Sequence, residues 1–125
     1  MIEETTWNKQ AERRTNFMWR ATPVGLELTH ENGNPPYIIP WNILHSILLH
    51  AMEMASENNN VIIAGIHQSE PTPGSLGEWV LSQDFVLSPG ALTPRHLSFL
   101  GPIFGRMGFI NCQYNGNSIQ WVFNR

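Results

Sequence analysis

Apolar residues at helical spacing predict a long helix followed by a shorter one. From Ile43 to Ala55 they recur three and four positions apart, which predicts an amphipathic helix over Trp41–Glu57. Pro40 precedes it, and proline is favoured where a helix begins because its missing N–H would have no partner there. Ser75-Leu76-Gly77-Glu78 matches a capping box, in which the serine and the glutamate satisfy each other's backbone N–H groups. It predicts a helix from Leu76 to about Ser82.

A third helix is predicted from Thr93-Pro94, because threonine caps a helix well and proline suits its first turn. Apolar residues follow at helical spacing from Leu97 to Met107. Gly101-Pro102 interrupts this pattern, and proline inside a helix removes a hydrogen bond. We therefore expect a kink or two short helices there. Gly108 is placed to end the helix.

Alternating apolar and polar residues predict two β-hairpins. The first spans about residues 24–39, where Asn32-Gly33 favours a tight turn and Pro35-Pro36 restricts the second strand to a sheet edge. The second spans residues 109–123 around Asn115-Gly116-Asn117. Asn-Gly between two alternating segments is a strong local signal for a hairpin, because both residues accept the backbone angles of its turn.

The order of these elements, with a short strand at Val61–Ile66, resembles a winged helix-turn-helix domain over roughly residues 39–125. In that family the recognition helix runs directly into the wing, as at Gly108-Phe109-Ile110 here. The resemblance implies an α+β, winged-helix-like fold with three or so helices, a C-terminal hairpin as the wing and an extra N-terminal β-hairpin. We expect residues 1–20 to form an arm, either loose or docked through its aromatic residues, and residues 21–125 to form a single domain.

The resemblance also implies a small transcriptional regulator that binds double-stranded DNA through the helix starting at Thr93 and the hairpin 109–123. Winged helices often act as dimers, so a homodimer is part of this expectation. The DNA-contacting side chains would be Thr93, Arg95, His96, Ser98, Phe99, Arg106, Asn115, Asn117 and Ser118, with a basic arm of Arg13, Arg14 and Arg20. Each also has a structural interpretation: the arginines are solvated or paired, and the asparagines serve the turn.

Composition favours an alternative function. The 125 residues carry a net charge of −3, whereas proteins that bind nucleic acid are usually basic. Five tryptophans are many for this length, and tryptophan often anchors protein interfaces. The alternative is therefore an acidic, tryptophan-rich protein–protein interaction module, such as an accessory subunit or an inhibitor of a nucleic-acid machine, that does not itself bind DNA.

No catalytic or metal-binding motif stands out, so we expect neither an enzyme nor a cofactor. The single cysteine, Cys112, rules out an intrachain disulfide and a multi-cysteine zinc site. His45 and His50 are five residues apart, which is off the spacing that places two ligands on one helix face. The first residues lack the apolar segment of a signal peptide, and the longest apolar run is too short and polar for a membrane span. We expect a cytoplasmic protein without a membrane partner.

Overall fold

The computed structural model describes residues 1–31, 33–87, 89–116 and 118–124. This part of the chain has an α+β architecture with three α-helices, a four-stranded sheet and a three-stranded sheet. Neighbouring strands are antiparallel in both sheets. The expected α+β class is confirmed.

The N-terminal sheet has four strands in the order β1-β2-β3-β4. They are β1 (Ile2–Thr5), β2 (Asn16–Ala21), β3 (Gly25–His30) and β4 (Tyr37–Pro40). The expected N-terminal hairpin is present as β3 and β4, whereas the first twenty residues, for which we expected an arm, contribute β1 and β2. Phe17 and Trp19 explain the difference, because they alternate with polar or exposed residues and their side chains are buried.

The three helices begin close to their predicted positions. They are α1 (Trp41–Ser56), α2 (Leu76–Gln83) and α3 (Leu97–Arg106), the last preceded by a 3₁₀ turn at Pro94–His96. Ser75 caps α2 as expected, since the Glu78 N–H donates to its Oγ at 3.2 Å. The Glu78 carboxylate accepts from the Gly74 N–H at 3.1 Å, one residue earlier than in a standard capping box.

We expected either a kink or two short helices at Gly101-Pro102, and the second alternative is wrong, because α3 is a single helix that includes Pro102. A proline at this position has no N–H to donate to the carbonyl of Ser98, four residues earlier. That carbonyl instead accepts the backbone N–H of Trp7 at 3.0 Å. The N-terminal segment thus supplies the donor that Pro102 lacks, and the helix continues without an unpaired carbonyl at this point.

The second sheet has the order β5-β7-β6 and comprises β5 (Val61–Ile63), β6 (Ile110–Asn115) and β7 (Ser118–Phe123). Strands β6 and β7 confirm the predicted C-terminal hairpin. Gly116 in its turn has a φ of +59°, a backbone angle that glycine adopts without strain. Trp121 on β7 is fully buried and packs edge-on against Phe104 of α3, which joins this sheet to the core.

The N-terminal sheet and its loops cover α3, so that every residue from Leu97 to Phe104 is buried. The Trp7 ring packs on Gly101 and Gly105, which lie one helical turn apart and leave room for it. Phe17 of β2 meets Phe99 of α3 in an edge-to-face contact with ring centroids 5.0 Å apart. A helix buried all round has no face left for an external partner.

Candidate functional site

Two of the predicted DNA contacts at the start of α3 lie inside the protein. Ser98 is 7% exposed, and its hydroxyl donates to the Arg95 carbonyl at 2.8 Å. Phe99 is also 7% exposed and lies between Phe17 and His30, with a centroid distance of 4.9 Å to the histidine. In this conformation neither side chain can reach a DNA groove.

Thr93 and His96 cap the 3₁₀ turn that precedes this helix. The Thr93 N–H donates to His96 Nδ1 at 3.0 Å, so His96 takes the place that glutamate usually has in a capping box. A ring nitrogen that accepts a hydrogen bond carries no proton, and the cap therefore requires a neutral ring. Burial, and then the nearby charges of His30 and Arg95, lower the pKa of His96, while the contact of its Nδ1 with the Thr93 carbonyl oxygen at 3.3 Å acts in the opposite direction. Burial and the two nearby charges therefore favour the neutral form of the ring.

The other predicted contacts lie at the end of α3 and on the C-terminal hairpin. Arg106 forms an ion pair with Glu4 of β1. Asn115 and Ser118 pair across the hairpin turn, and Ser118 also lines the cleft described below. Asn117, the remaining predicted wing contact, lies outside the described residues.

The three arginines of the expected basic arm have different environments. Arg14 donates to the Asn8 carbonyl at 2.7 Å, and its guanidinium lies 5.6 Å from the ring centroid of Tyr114. Arg20 forms a salt bridge with Glu27 across β2 and β3, with a distance of 3.0 Å. Arg13 is exposed and lines the cleft. The structure therefore brings only Arg13 and Arg95 of the predicted cations into one site.

That site is a cleft with a volume of about 1020 Å³ at the start of α3. Four segments line it: the loop between β1 and β2, the segment from β5 towards α2, the 3₁₀ turn with the first residues of α3, and the start of β7. Its lining residues include Thr6, Asn8, Lys9, Gln10, Glu12, Arg13, Thr15, Ile63, Ile66, His67, Gln68, Ser69, Thr72, Arg95, Ser98, Phe99, Ser118 and Ile119. Most of these side chains are polar, and the apolar ones come from the edge of the core.

The charge of the cleft is opposite in sign to that of the chain. Lys9, Arg13 and Arg95 line it, which is three of the chain's seven lysines and arginines, whereas Glu12 is the single lining carboxylate among ten acidic residues. Arg13 and Arg95 form no salt bridge with another described residue. The field of Arg95 also reaches His30, because burial and then this guanidinium lower the pKa of that histidine. The cleft is therefore suited to an anion.

His67 has a fixed orientation in the cleft. Its Nδ1 accepts the backbone N–H of Ser69 at 3.3 Å and that of Glu70 at 2.9 Å. The neutral ring must therefore carry its proton on Nε2, on the far side from the loop backbone. His67 and the polar residues beside it were not predicted from the sequence, and Lys9 was not among the predicted site residues, although it belongs to the N-terminal group of positive charges. The local signal at His67 was only a Pro- and Ser-rich loop, and nothing in it indicated that this loop meets a segment some sixty positions earlier.

Other kinds of site find little support in the described part of the chain. No three side chains of histidine, cysteine, aspartate or glutamate come together there in a way that could hold a metal ion. Each described helix is too short or too polar to span a lipid bilayer. Comparisons with protein-family models, with curated proteins and with solved structures found no match.

Proposed function

We propose that this protein is a nucleic-acid-binding domain of the winged-helix type that holds the sugar–phosphate backbone in the cleft at the start of α3. The observation that carries this proposal is the concentration of Lys9, Arg13 and Arg95 around one cleft of an acidic chain. Contacts with phosphates provide most of the sequence-independent affinity of proteins for nucleic acids. A local cluster of cations can supply it even when the net charge of the whole protein is negative.

The topology of the second half supports the winged-helix part of the proposal. The elements follow one another as α1, β5, α2, α3 and the hairpin of β6 and β7, and β5 pairs with β7 in the sheet. This is the order of elements on which the resemblance to the family rests. The cleft lies at the start of α3 and at the start of β7. A winged-helix domain turns its third helix and its hairpin towards nucleic acid.

The burial of α3 changes how such a domain would act. Because residues 97–104 are buried, insertion of this helix into a major groove is not part of the proposal. The remaining contacts are those of Arg95 before the helix, of Arg13 in the N-terminal loop and of Ser118 at the hairpin. Contacts of this type position a nucleic acid without reading its sequence through the groove.

The alternative of a tryptophan-anchored protein interface has less support. Trp19 and Trp121 are buried in the core, and Trp7 and Trp79 are partly buried against it. Trp41 is 40% exposed, but its indole N–H already donates to the Thr22 carbonyl at 2.9 Å. Most tryptophans therefore serve the fold.

Fluorescence anisotropy with labelled oligonucleotides of about 16 nucleotides tests the proposal. Binding should weaken several-fold or more between about 50 mM and about 200 mM salt, as bound counterions are released. Arg95→Gln and Arg13→Gln should each weaken binding several-fold. The matched control is Arg20→Gln, which removes an equal charge from a salt bridge on the N-terminal sheet and should leave affinity unchanged. Absence of binding at the lower salt, or an equal loss in all three variants, would contradict the proposal.

A further inference from the structure

The loop between β1 and β2 contributes two of the three cations that line the cleft, and Arg95 before α3 contributes the third. We call Lys9, Gln10, Glu12 and Arg13 the cationic wall. Two backbone hydrogen bonds fix the base of this loop: the Thr6 N–H donates to the Thr15 carbonyl at 2.9 Å, and Trp7 is held on α3 as described above. The positive charges of this wall are thus attached to the rigid core.

The segment between β5 and α2 also lines the cleft, and it is attached to a different part of the core. We call His67, Gln68, Ser69 and Thr72 the neutral wall, because none of these side chains carries a charge when the histidine ring is neutral. The segment is fixed to β7, where the Ala64 N–H donates to the Ile119 carbonyl at 2.9 Å. Its side chains offer hydroxyl, amide and imidazole groups, which are the groups that proteins use to contact base edges.

His67 is the best-defined donor of the neutral wall. Its two hydrogen bonds to the loop backbone hold the ring and leave Nε2–H as its donor, so a partner group at this point must be an acceptor. Oxygen and ring-nitrogen atoms on base edges are such acceptors. The neutral Gln68 amide beside it both donates and accepts.

Paired bases in a duplex offer their edges only in the grooves, and the helix that would enter a groove is buried here. The edges of unpaired bases are accessible to a concave site. Phe99, the aromatic residue of the cleft, is 7% exposed and gives bases little surface on which to stack. Recognition in this cleft therefore depends on phosphate charge at the cationic wall and on hydrogen bonds to bases at the neutral wall.

We propose that the cleft takes a single nucleic-acid strand, with its phosphates along the cationic wall and its base edges towards the neutral wall, where His67 Nε2–H donates to a base. This inference rests on the proposed function and specifies its ligand. It makes Arg13 a residue that sets affinity for any sequence. It makes His67 a residue that sets the preference among bases.

The first experiment compares a single strand with the duplex of the same sequence, as DNA and as RNA. For DNA, for RNA or for both, the single strand should bind about tenfold more tightly than the duplex at equal salt. The comparison of the two single strands then identifies which nucleic acid the cleft prefers. Tighter binding to the duplex overturns this inference and leaves the proposed function standing. No binding to any of these oligonucleotides overturns both.

The second experiment measures affinity for thymine, cytosine and adenine homopolymers with His67→Asn. The asparagine Oδ1 can still accept the Ser69 and Glu70 N–H groups, so the loop is kept while the Nε2–H donor is lost. The spread of affinities among the three homopolymers should narrow, with an unchanged salt dependence. Arg13→Gln should weaken all three equally and reduce the slope of log K against log salt by about 0.7.

The matched control is His45→Asn, since His45 is exposed on α1 and does not line the cleft. This variant should leave unchanged both the spread of affinities among the three homopolymers and the slope of log K against log salt. An absence of base preference in the wild type, or a spread that His67→Asn leaves intact, overturns the role assigned to the neutral wall.

Discussion

The backbone N–H of Trp7 donates to the carbonyl of Ser98, the carbonyl that Pro102 leaves without a donor in its own helix. The same segment places the Trp7 ring on Gly101 and Gly105. A proline, two glycines and a tryptophan thus fit together at one contact between the N-terminal loop and α3. The cover over α3 is therefore an integral part of the fold, and the cationic wall is attached to it.

A methyl group added at Gly101 should destabilise the protein. The new Cβ would lie 2.5 Å from Cε3 of Trp7, which is closer than nonbonded carbon atoms approach. Overpacking of this kind costs about 1–3 kcal/mol, and we expect it to outweigh the gain of up to about 1 kcal/mol that alanine brings to a helix. Urea denaturation of Gly101→Ala measures the loss.

The control for this prediction is a double-mutant cycle with Trp7→Leu. The smaller side chain leaves room for the added methyl group, so Gly101→Ala should cost clearly less in that background. An equal cost in both backgrounds would show that Trp7 is not what restricts Gly101.

Removal of the Tyr37 hydroxyl should not weaken the fold. This oxygen is buried and has no hydrogen-bond partner among the described residues, and burial raises the pKa of Tyr37. A buried polar group without a partner is destabilising, so Tyr37→Phe should raise the free energy of unfolding by up to about 1 kcal/mol. Thermal denaturation checks this against Tyr114→Phe, which removes an exposed hydroxyl that Arg14 contacts at 3.5 Å and should change little. A clear loss in Tyr37→Phe would indicate a hydrogen bond to this hydroxyl in solution.

Stability should fall as the pH drops below the ordinary histidine pKa of 6.5. The pKa values of His96 and His30 are lowered, so the unfolded chain takes up protons that the folded protein does not. This stabilisation is complete above pH 6.5 and is lost as the pH falls through the folded pKa values. The groups that contact the two rings or act on them through their charge are Tyr37, Phe99, Thr93 and Arg95, and none of them offers a negative charge to offset protonation.

Urea denaturation between about pH 8 and about pH 5 measures this effect. Each histidine can contribute at most about 1.4 kcal/mol per pH unit. His96→Asn keeps an acceptor for the Thr93 N–H but does not titrate, so its stability should depend less on pH than that of the wild type. His45→Asn is the control and should follow the wild type. An unchanged slope in His96→Asn would mean that His96 does not contribute.

Elements determined by local sequence were predicted well. Asn115-Gly116 sets a hairpin turn by its own backbone preferences, and Ser75 with Glu78 sets a helix start within four residues. The continuity of α3 was not predictable in this way, because the group that compensates for Pro102 is the N–H of Trp7, ninety-five positions earlier in the chain. Local patterns show the defect in the helix but not the partner that repairs it.

The N-terminal strands and the cleft show the same limit. Phe17 and Trp19 alternate with outward-facing residues, but the run is short and the charges around it suggested an arm. The cleft needs Arg13, His67 and Arg95 at one place, and only the folded chain brings these three segments together. Arg95 was expected at a functional surface, whereas nothing near His67 in the sequence indicated one.

Nuclear magnetic resonance mapping of the isotope-labelled protein with a single-stranded oligonucleotide of about 16 nucleotides would locate the binding surface directly. If the strand binds in the cleft, the shifted amide signals should belong to residues that line it, in the segments 6–15, 63–72, 95–99 and 118–119. Signals from the exposed side of α1, including His45 and Leu49, should stay in place. Shifts centred on α1 or on the outer face of the N-terminal sheet, with the cleft signals unaffected, would contradict binding of the strand in the cleft.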